Sequence, residues 1–135
     1  VKAQFVLDAS ALLSIVLDER GHESVDRILD RSRIHAVNLA EVVGRLVRSG
    51  MPAERAVATL HELHLEVEEE FAAAQAEFCG ALLGTQRSLG LSLGDCVCLT
   101  TAAWSGAAAV TADRRWRELD GAVVNDRTIR VELIR

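Results

Sequence analysis

The chain has 135 residues, half of them hydrophobic, which suits one domain (residues 1–135) that buries roughly two thirds of its unfolded surface without disulfide or metal staples. Twenty acidic residues against 15 basic ones leave a net charge of −5, a balance that argues against binding nucleic acid through bulk charge. No apolar run approaches the ~18 residues of a membrane span, so no membrane association is expected. No basic segment followed by an apolar stretch marks a secretory signal, and the start at Val1 leads us to expect an altered or trimmed N-terminus. The three cysteines are an odd number. Cys96 and Cys98, two apart on an expected helix, point to different sides, so buried reduced thiols in a cytoplasmic protein are expected. Only Lys2 among the basic residues is lysine, which beside abundant alanine reads as codon bias.

Hydrophobic periodicity predicts strands alternating with helices. The expected order is strand 4–8, helix 10–18, helix 22–31, strand 34–37, helix 39–49, helix 53–64 and a weak strand at 65–68. Helix 70–88, helix 94–104, strand 107–111, helix 114–119 and terminal strands at 122–125 and 130–134 complete it. Ser10 and Asn38 are the expected helix caps, and Pro52 fits a first helical turn. The run Glu68-Glu69-Glu70 reads as the solvated start of a helix, where negative charge is favourable. Strands separated by helices predict a three-layer α/β/α sandwich with a central, mainly parallel sheet.

Four acids share one kind of position, at a strand end or in the first turn of the next helix. They are Asp8 in LDAS, Glu41 in NLAEV, Asp95 in LSLGDC and Asp113 in TADRRW. Each also has an ordinary reading: Asn38 and Glu41 fit a capping box, Asp113 a helix cap, Asp95 a dipole partner. Together they imply more, because parallel strands place their carboxyl ends along one edge. Carboxylates held ~4–6 Å apart require a counter-cation or raise one another's pKa. No lysine lies near any of them, which leaves a metal as the counter-charge. An all-oxygen donor set selects Mg²⁺ or Mn²⁺, one ion or two. Ser10, Asn38 and Thr111 are the short polar neighbours able to orient the carboxylates. Hydrolysis of a phosphodiester is the reaction such a pocket suits.

The order LDAS…NLAEV…LSLGDCVCLTTA…VTADRRW resembles the PIN-domain ribonucleases, and looks most like the VapC-type toxins of bacterial type II toxin–antitoxin pairs. The resemblance runs from Phe5 to about Trp116, and its most specific parts are LGD before an apolar helix and TAD after a strand. It implies a PIN-like α/β/α sandwich with Mg²⁺- or Mn²⁺-dependent endoribonuclease activity. It also implies homodimers and a small antitoxin that blocks the site. Asp8, Glu41, Asp95 and Asp113 would then be the catalytic metal site, with Ser10, Asn38 and Thr111 as polar support. The stretch LDGAVVNDRTIRVELIR departs from the family pattern, and Asp126 is given no role.

An RNA substrate needs cations for its remaining phosphates. Arg45 and Arg48 share a helical face with Glu41, and Arg114 and Arg115 follow Asp113, so these four are expected to line the RNA track. Arg45 has a competing role as an i,i+4 partner of Glu41. His61 and His64 read as a surface pair; Trp104 and Trp116 read as packing residues, with base stacking by Trp116 as the weaker alternative. Leu46, Val47, Val57 and Leu60 offer an apolar face for a second copy or an antitoxin segment. An aspartate-nucleophile phosphatase would want a second acid where Ser10 stands, and a phospho-receiver would want a late lysine. The remaining rival is a catalytically inactive PIN-fold module that binds RNA or a partner.

Overall fold

The computed structural model describes residues 3–135; Val1 and Lys2 lie outside the described residues. Strand β1 (Phe5–Leu7) sends successive side chains to opposite faces, with Val6 in one core and Leu7 in the other. Helices α1 (Ala9–Val16) and α2 (His22–Asp26) and a 3₁₀ turn at Leu29–Arg31 lead to β2 (Ser32–His35). Helices α3 (Ala36–Arg48) and α4 (Ala53–His61) return the chain to β3 (Glu66–Glu68). Then α5 (Ala73–Thr85), a 3₁₀ turn at Arg87–Leu89 and α6 (Leu93–Ser105) precede β4 (Ala108–Thr111). A 3₁₀ helix at Arg114–Leu119 and a small hairpin, β5 (Val123–Val124) and β6 (Arg127–Thr128), separate β4 from β7 (Val131–Leu133).

The main sheet has the order β3-β2-β1-β4-β7, every pairing parallel, with helices on both faces. This is the α/β sandwich that the alternation of elements implies. Leu7, Ile34 and Val110 pair in register and face α1, α3 and α4, packing against Leu12, Val42 and Leu46. On the other face Val6 and Ala109 pack against Phe78 and Leu82 of α5, Leu99 and Ala102 of α6, and Trp116. Each Val, Leu, Ile or Phe among them withdrawn from water contributes about 1.5–3 kcal/mol before entropy is counted. The three cysteines are free and buried. Among the described residues no helix is long and apolar enough to cross a membrane.

Several element ends differ from expectation, and hydrogen bonds supply the reasons. Asp8, not Ser10, caps α1: its Oδ1 accepts from the Ala11 N–H at 2.9 Å. Strand 34–37 sits two residues earlier, because His35, not Asn38, caps α3 with Nδ1 accepting from the Val37 N–H at 3.1 Å. Asn38 is therefore inside the helix and buried. The expected helix 22–31 breaks after Asp26 into a 3₁₀ turn, where the Ser32 hydroxyl donates to the Ile28 carbonyl at 2.7 Å. Helix 70–88 begins only at Ala73, with the Gln75 side chain accepting from the Ala72 N–H. The glutamate run is thus no helix start; Glu68 ends β3 and pairs with Arg33 at 3.2 Å. Segment 114–119 winds as 3₁₀ rather than α, and 122–125 holds one arm of the hairpin, turned by Asn125 and Asp126 at φ 45° and 64°.

Candidate active site

Because the strands run parallel, the chain leaves β1 at Asp8 and β4 at Thr111-Ala112-Asp113 on the same edge of the sheet. The N-terminal halves of α3 and α6 bring Glu41 and Asp95 to that edge. Asp8, Glu41, Asp95 and Asp113 line one cleft of ≈ 730 Å³, with Ser10, Arg45, Arg48 and Arg115 in its wall.

Asp8 forms the floor and is only 6% exposed. Its Oδ1 accepts from the Ser10 hydroxyl at 2.7 Å and the Ala11 N–H at 2.9 Å, and its Oδ2 from the Thr111 hydroxyl at 2.5 Å. Thr111 Oγ1 accepts in turn from the Asp113 N–H, and Ser10 Oγ from the Ala112 N–H, both at 3.0 Å. The ends of β1 and β4 are laced together through the floor carboxylate. Every donor to Asp8 is neutral. Burial outweighs them and lifts the carboxyl from 3.8 to about 6, with the charge of Asp95 adding to the rise.

Glu41 is positioned by a crossing of helices. Asn38 Nδ2 donates to Glu41 Oε1 at 2.8 Å and to the Gly94 carbonyl at 2.9 Å, tying α3 to α6. Its Oδ1 is buried without a partner. The Glu41 carboxylate lies directly over Gly94, where a Cβ would fall 2.5–2.6 Å from it. The start of α3 is held by His35, buried, whose Nδ1 caps the helix while Nε2–H donates to the Glu70 carbonyl at 3.1 Å. That tautomer follows from the bonds, since the ring nitrogen facing a backbone N–H has to be the acceptor. The ring meets Phe71 edge-on at 5.6 Å. Asp95 closes a reciprocal capping box at the start of α6: its Oδ2 accepts from the Ser92 N–H at 2.8 Å and Ser92 Oγ from its own N–H at 3.1 Å.

Asp113 has a counter-charge that the sequence reading did not foresee. Arg115 Nε lies 3.0 Å from Oδ1 and 3.1 Å from Oδ2, and Nη2 2.6 Å from Oδ2; the Arg115 N–H adds a bond to Oδ1 at 3.0 Å. This guanidinium holds the Asp113 carboxyl below its ordinary value. Beneath the cleft, the buried Cys98 thiol is pushed well up, first by burial and then by the charges of Asp8, Asp95 and Glu41. Among the described residues no three acid, imidazole or thiol groups stand, as the side chains lie, in an arrangement that holds a metal ion. Arg115 occupies both Asp113 oxygens, and Asp95 turns one oxygen to Ser92. The donor chemistry nevertheless suits a hard cation: four carboxylates, a buried one bound only by neutral donors, and an orphaned amide oxygen beside them.

Of the remaining expected contacts, Arg45, Arg48 and Arg115 line the cleft. Arg114 does not; its Nε donates to the Arg135 carbonyl at 3.3 Å. Trp116 is fully buried, which removes base stacking as a role for it. Trp104 packs edge-on against Phe78 at 5.4 Å, with the Arg127 guanidinium 3.7 Å from its ring centre. His61 and His64 are exposed and line a separate apolar groove of ≈ 180 Å³ with Leu39, Val43, Val57 and Leu60. His35 and Gly94 escaped the sequence reading. Gly94 carried a signal, as a glycine directly before an acid at a helix start permits close approach; an imidazole as helix cap carried little.

The profile of the PIN domain family matches residues 5–122. No curated protein sequence matches the chain. Among solved structures, a chain of DNA-bound VapBC from Salmonella typhimurium superposes with a TM-score of 0.72 at 20% identity, over 98% of this chain and 99% of that one. A chain of VapBC2 from Rickettsia felis, bound to a DNA fragment from its promoter, gives 0.68 at 14% identity over 95% and 98%. A toxin–antitoxin complex from Klebsiella pneumoniae gives 0.67 at 17% over 88% and 95%. At these identities the likeness establishes the fold.

Proposed function

This chain belongs to the PIN domain family, and on that premise we propose that it is a Mg²⁺- or Mn²⁺-dependent endoribonuclease, the toxin of a toxin–antitoxin pair acting in the cytoplasm as a single PIN-like domain. The observation that carries the reading is Asp8, a buried carboxylate with neutral donors only, sharing one cleft with Glu41, Asp95 and Asp113. A buried anion without a cation is costly, and the cost is justified where a cation binds. A divalent ion held by these acids supplies Lewis-acid polarisation of a phosphate oxygen and a water of lowered pKa.

The chain's own residues have distinct tasks in this scheme. Ser10 and Thr111 hold both oxygens of Asp8, and Asn38 holds one oxygen of Glu41, which limits how far either carboxylate swings. Arg45 and Arg48 in the wall are the cations available to flanking phosphates of the RNA. Similarity to chains from toxin–antitoxin structures supports a small antitoxin as partner; a homodimer is part of the proposal.

The test is purified protein incubated with structured RNA in Mg²⁺, Mn²⁺ or chelator, beside Asp8→Asn. Cleavage is expected only with metal, and Asp8→Asn should lower it by about 10²–10³-fold, the scale of losing one electrostatic stabiliser. Cleavage that persists in chelator overturns the mechanism, and no cleavage with any ion leaves the non-catalytic binding module. Sequencing the 5′ ends of the fragments identifies the RNA and its cut site.

A further inference from the structure

We infer that Arg115 is a tethered counter-cation which binding of the metal displaces from Asp113, and that the freed guanidinium then takes a phosphate of the substrate, so that metal and RNA bind cooperatively through one side chain. The inference rests on the metallonuclease reading above and adds to it a resting state and a coupling.

The resting state is visible in the contacts. Both Asp113 oxygens are engaged by the Arg115 fork, with a fourth bond from the Arg115 backbone N–H to Oδ1. The guanidinium has a seat: Gly90, at φ +63°, passes beneath it, and a Cβ there would stand 3.1 Å from Nη1. Arg115 also lies within the field of Asp95 and lines the same cleft as Asp8 and Glu41. Its side chain is 56% exposed against 27% for Asp113, so the arginine leaves toward solvent without unpacking the core.

A cation at Asp113 competes with the fork for the two carboxylate oxygens and repels the guanidinium, so its binding loosens the pair. The displaced guanidinium remains anchored two residues from Asp113, at the mouth of the cleft. Its planar fork matches a phosphate as well as it matches a carboxylate. A substrate phosphate that captures Arg115 therefore removes the metal's competitor. Linkage makes the effect reciprocal: RNA tightens metal binding by the factor by which metal tightens RNA binding.

The experiment is calorimetric titration of Mn²⁺ into the wild type, R115Q, R115K and R114Q, with and without a 2′-O-methyl RNA oligonucleotide that cannot be cleaved. All three substitutions are at exposed side chains, and thermal melts check that each variant is folded. Without RNA, R115Q should bind Mn²⁺ roughly two- to fivefold tighter, the fold-change equivalent of an exposed ion pair at the upper end of its range. R115K should fall between wild type and R115Q, because an ammonium keeps the charge and loses the fork. R114Q, the same charge change outside the cleft, should match wild type. The oligonucleotide should tighten Mn²⁺ binding in the wild type and lose that effect in R115Q. Equal Mn²⁺ affinity in wild type and R115Q overturns the inference, as does an R115K that matches wild type, since plain charge then accounts for everything. Absence of Mn²⁺ binding in every protein overturns the metal reading itself, an outcome distinct from the other two.

Discussion

At the level of single residues, the cleft is organised around one destabilised carboxylate. In metal-free protein the Asp8 carboxyl titrates at about 6 instead of 3.8. Between those values the native state holds a proton that the unfolded chain has lost, so its stabilising share is complete below about pH 4 and disappears as pH rises through about 6. That rise corresponds to on the order of 3 kcal/mol. In chelator, Asp8→Asn should therefore match the wild type near pH 4 and exceed it by on the order of 1–3 kcal/mol above pH 7, read from urea unfolding. A large loss of stability in Asp8→Asn would instead mark the carboxylate as a structural hydrogen-bond hub. Asp113 acts in the opposite sense, since its pair with Arg115 is lost as pH falls through the carboxylate range. The four acids were legible in the sequence because a carboxylate at the end of an apolar run is conspicuous. The charged partner was less so: Arg115 turns back on Asp113 from only two residues away, a contact set by the 3₁₀ winding that follows.

Elements were legible in kind and less so in extent. The alternation of apolar strands and amphipathic helices gave every strand of the main sheet, while caps moved the ends of α1, α3 and α5. A period of 3.6 says where a helical face lies, and only a specific side-chain-to-backbone bond says where the helix begins. His35 as the cap of α3 sets the register that buries Asn38 and aims Glu41. The crossing of α3 and α6 at Gly94 yields a prediction at this scale. Gly94→Ala should push the Glu41 carboxylate off its seat, a displacement of a flexible side-chain end and not of backbone. Unfolding free energy should change by less than about 1 kcal/mol, because alanine is the better helix former. RNA cleavage should fall at least about tenfold through misplacement of one carboxylate. Gly21 presents the contrary case. At φ +97° a Cβ there would lie 2.6 Å from the backbone carbonyl of Ile134. Gly21→Ala should cost about 1–3 kcal/mol in stability, measured by denaturant unfolding.

On the scale of the whole molecule, one sheet edge gathers negative charge that the fold itself leaves incompletely neutralised. Ligand that binds only the native state raises stability by mass action, about 2.7 kcal/mol at a hundred times its dissociation constant. Mn²⁺ should raise the melting temperature of the wild type by several degrees and that of Asp8→Asn by much less. An equal rise in both proteins would place the ion elsewhere. Sheet order has a consequence in time as well as in space. β1, the earliest of the described strands in chain order, is the central one, and its two neighbours are β2 and β4, whose residues end at 35 and 111. A nascent chain therefore cannot complete the acidic edge until residues past Asp113 have left the ribosome and β4 has docked. Such long-range parallel pairing is slow to form and comes late. Any hydrolytic capacity in this chain would thus be withheld from translation products that stop before Asp113.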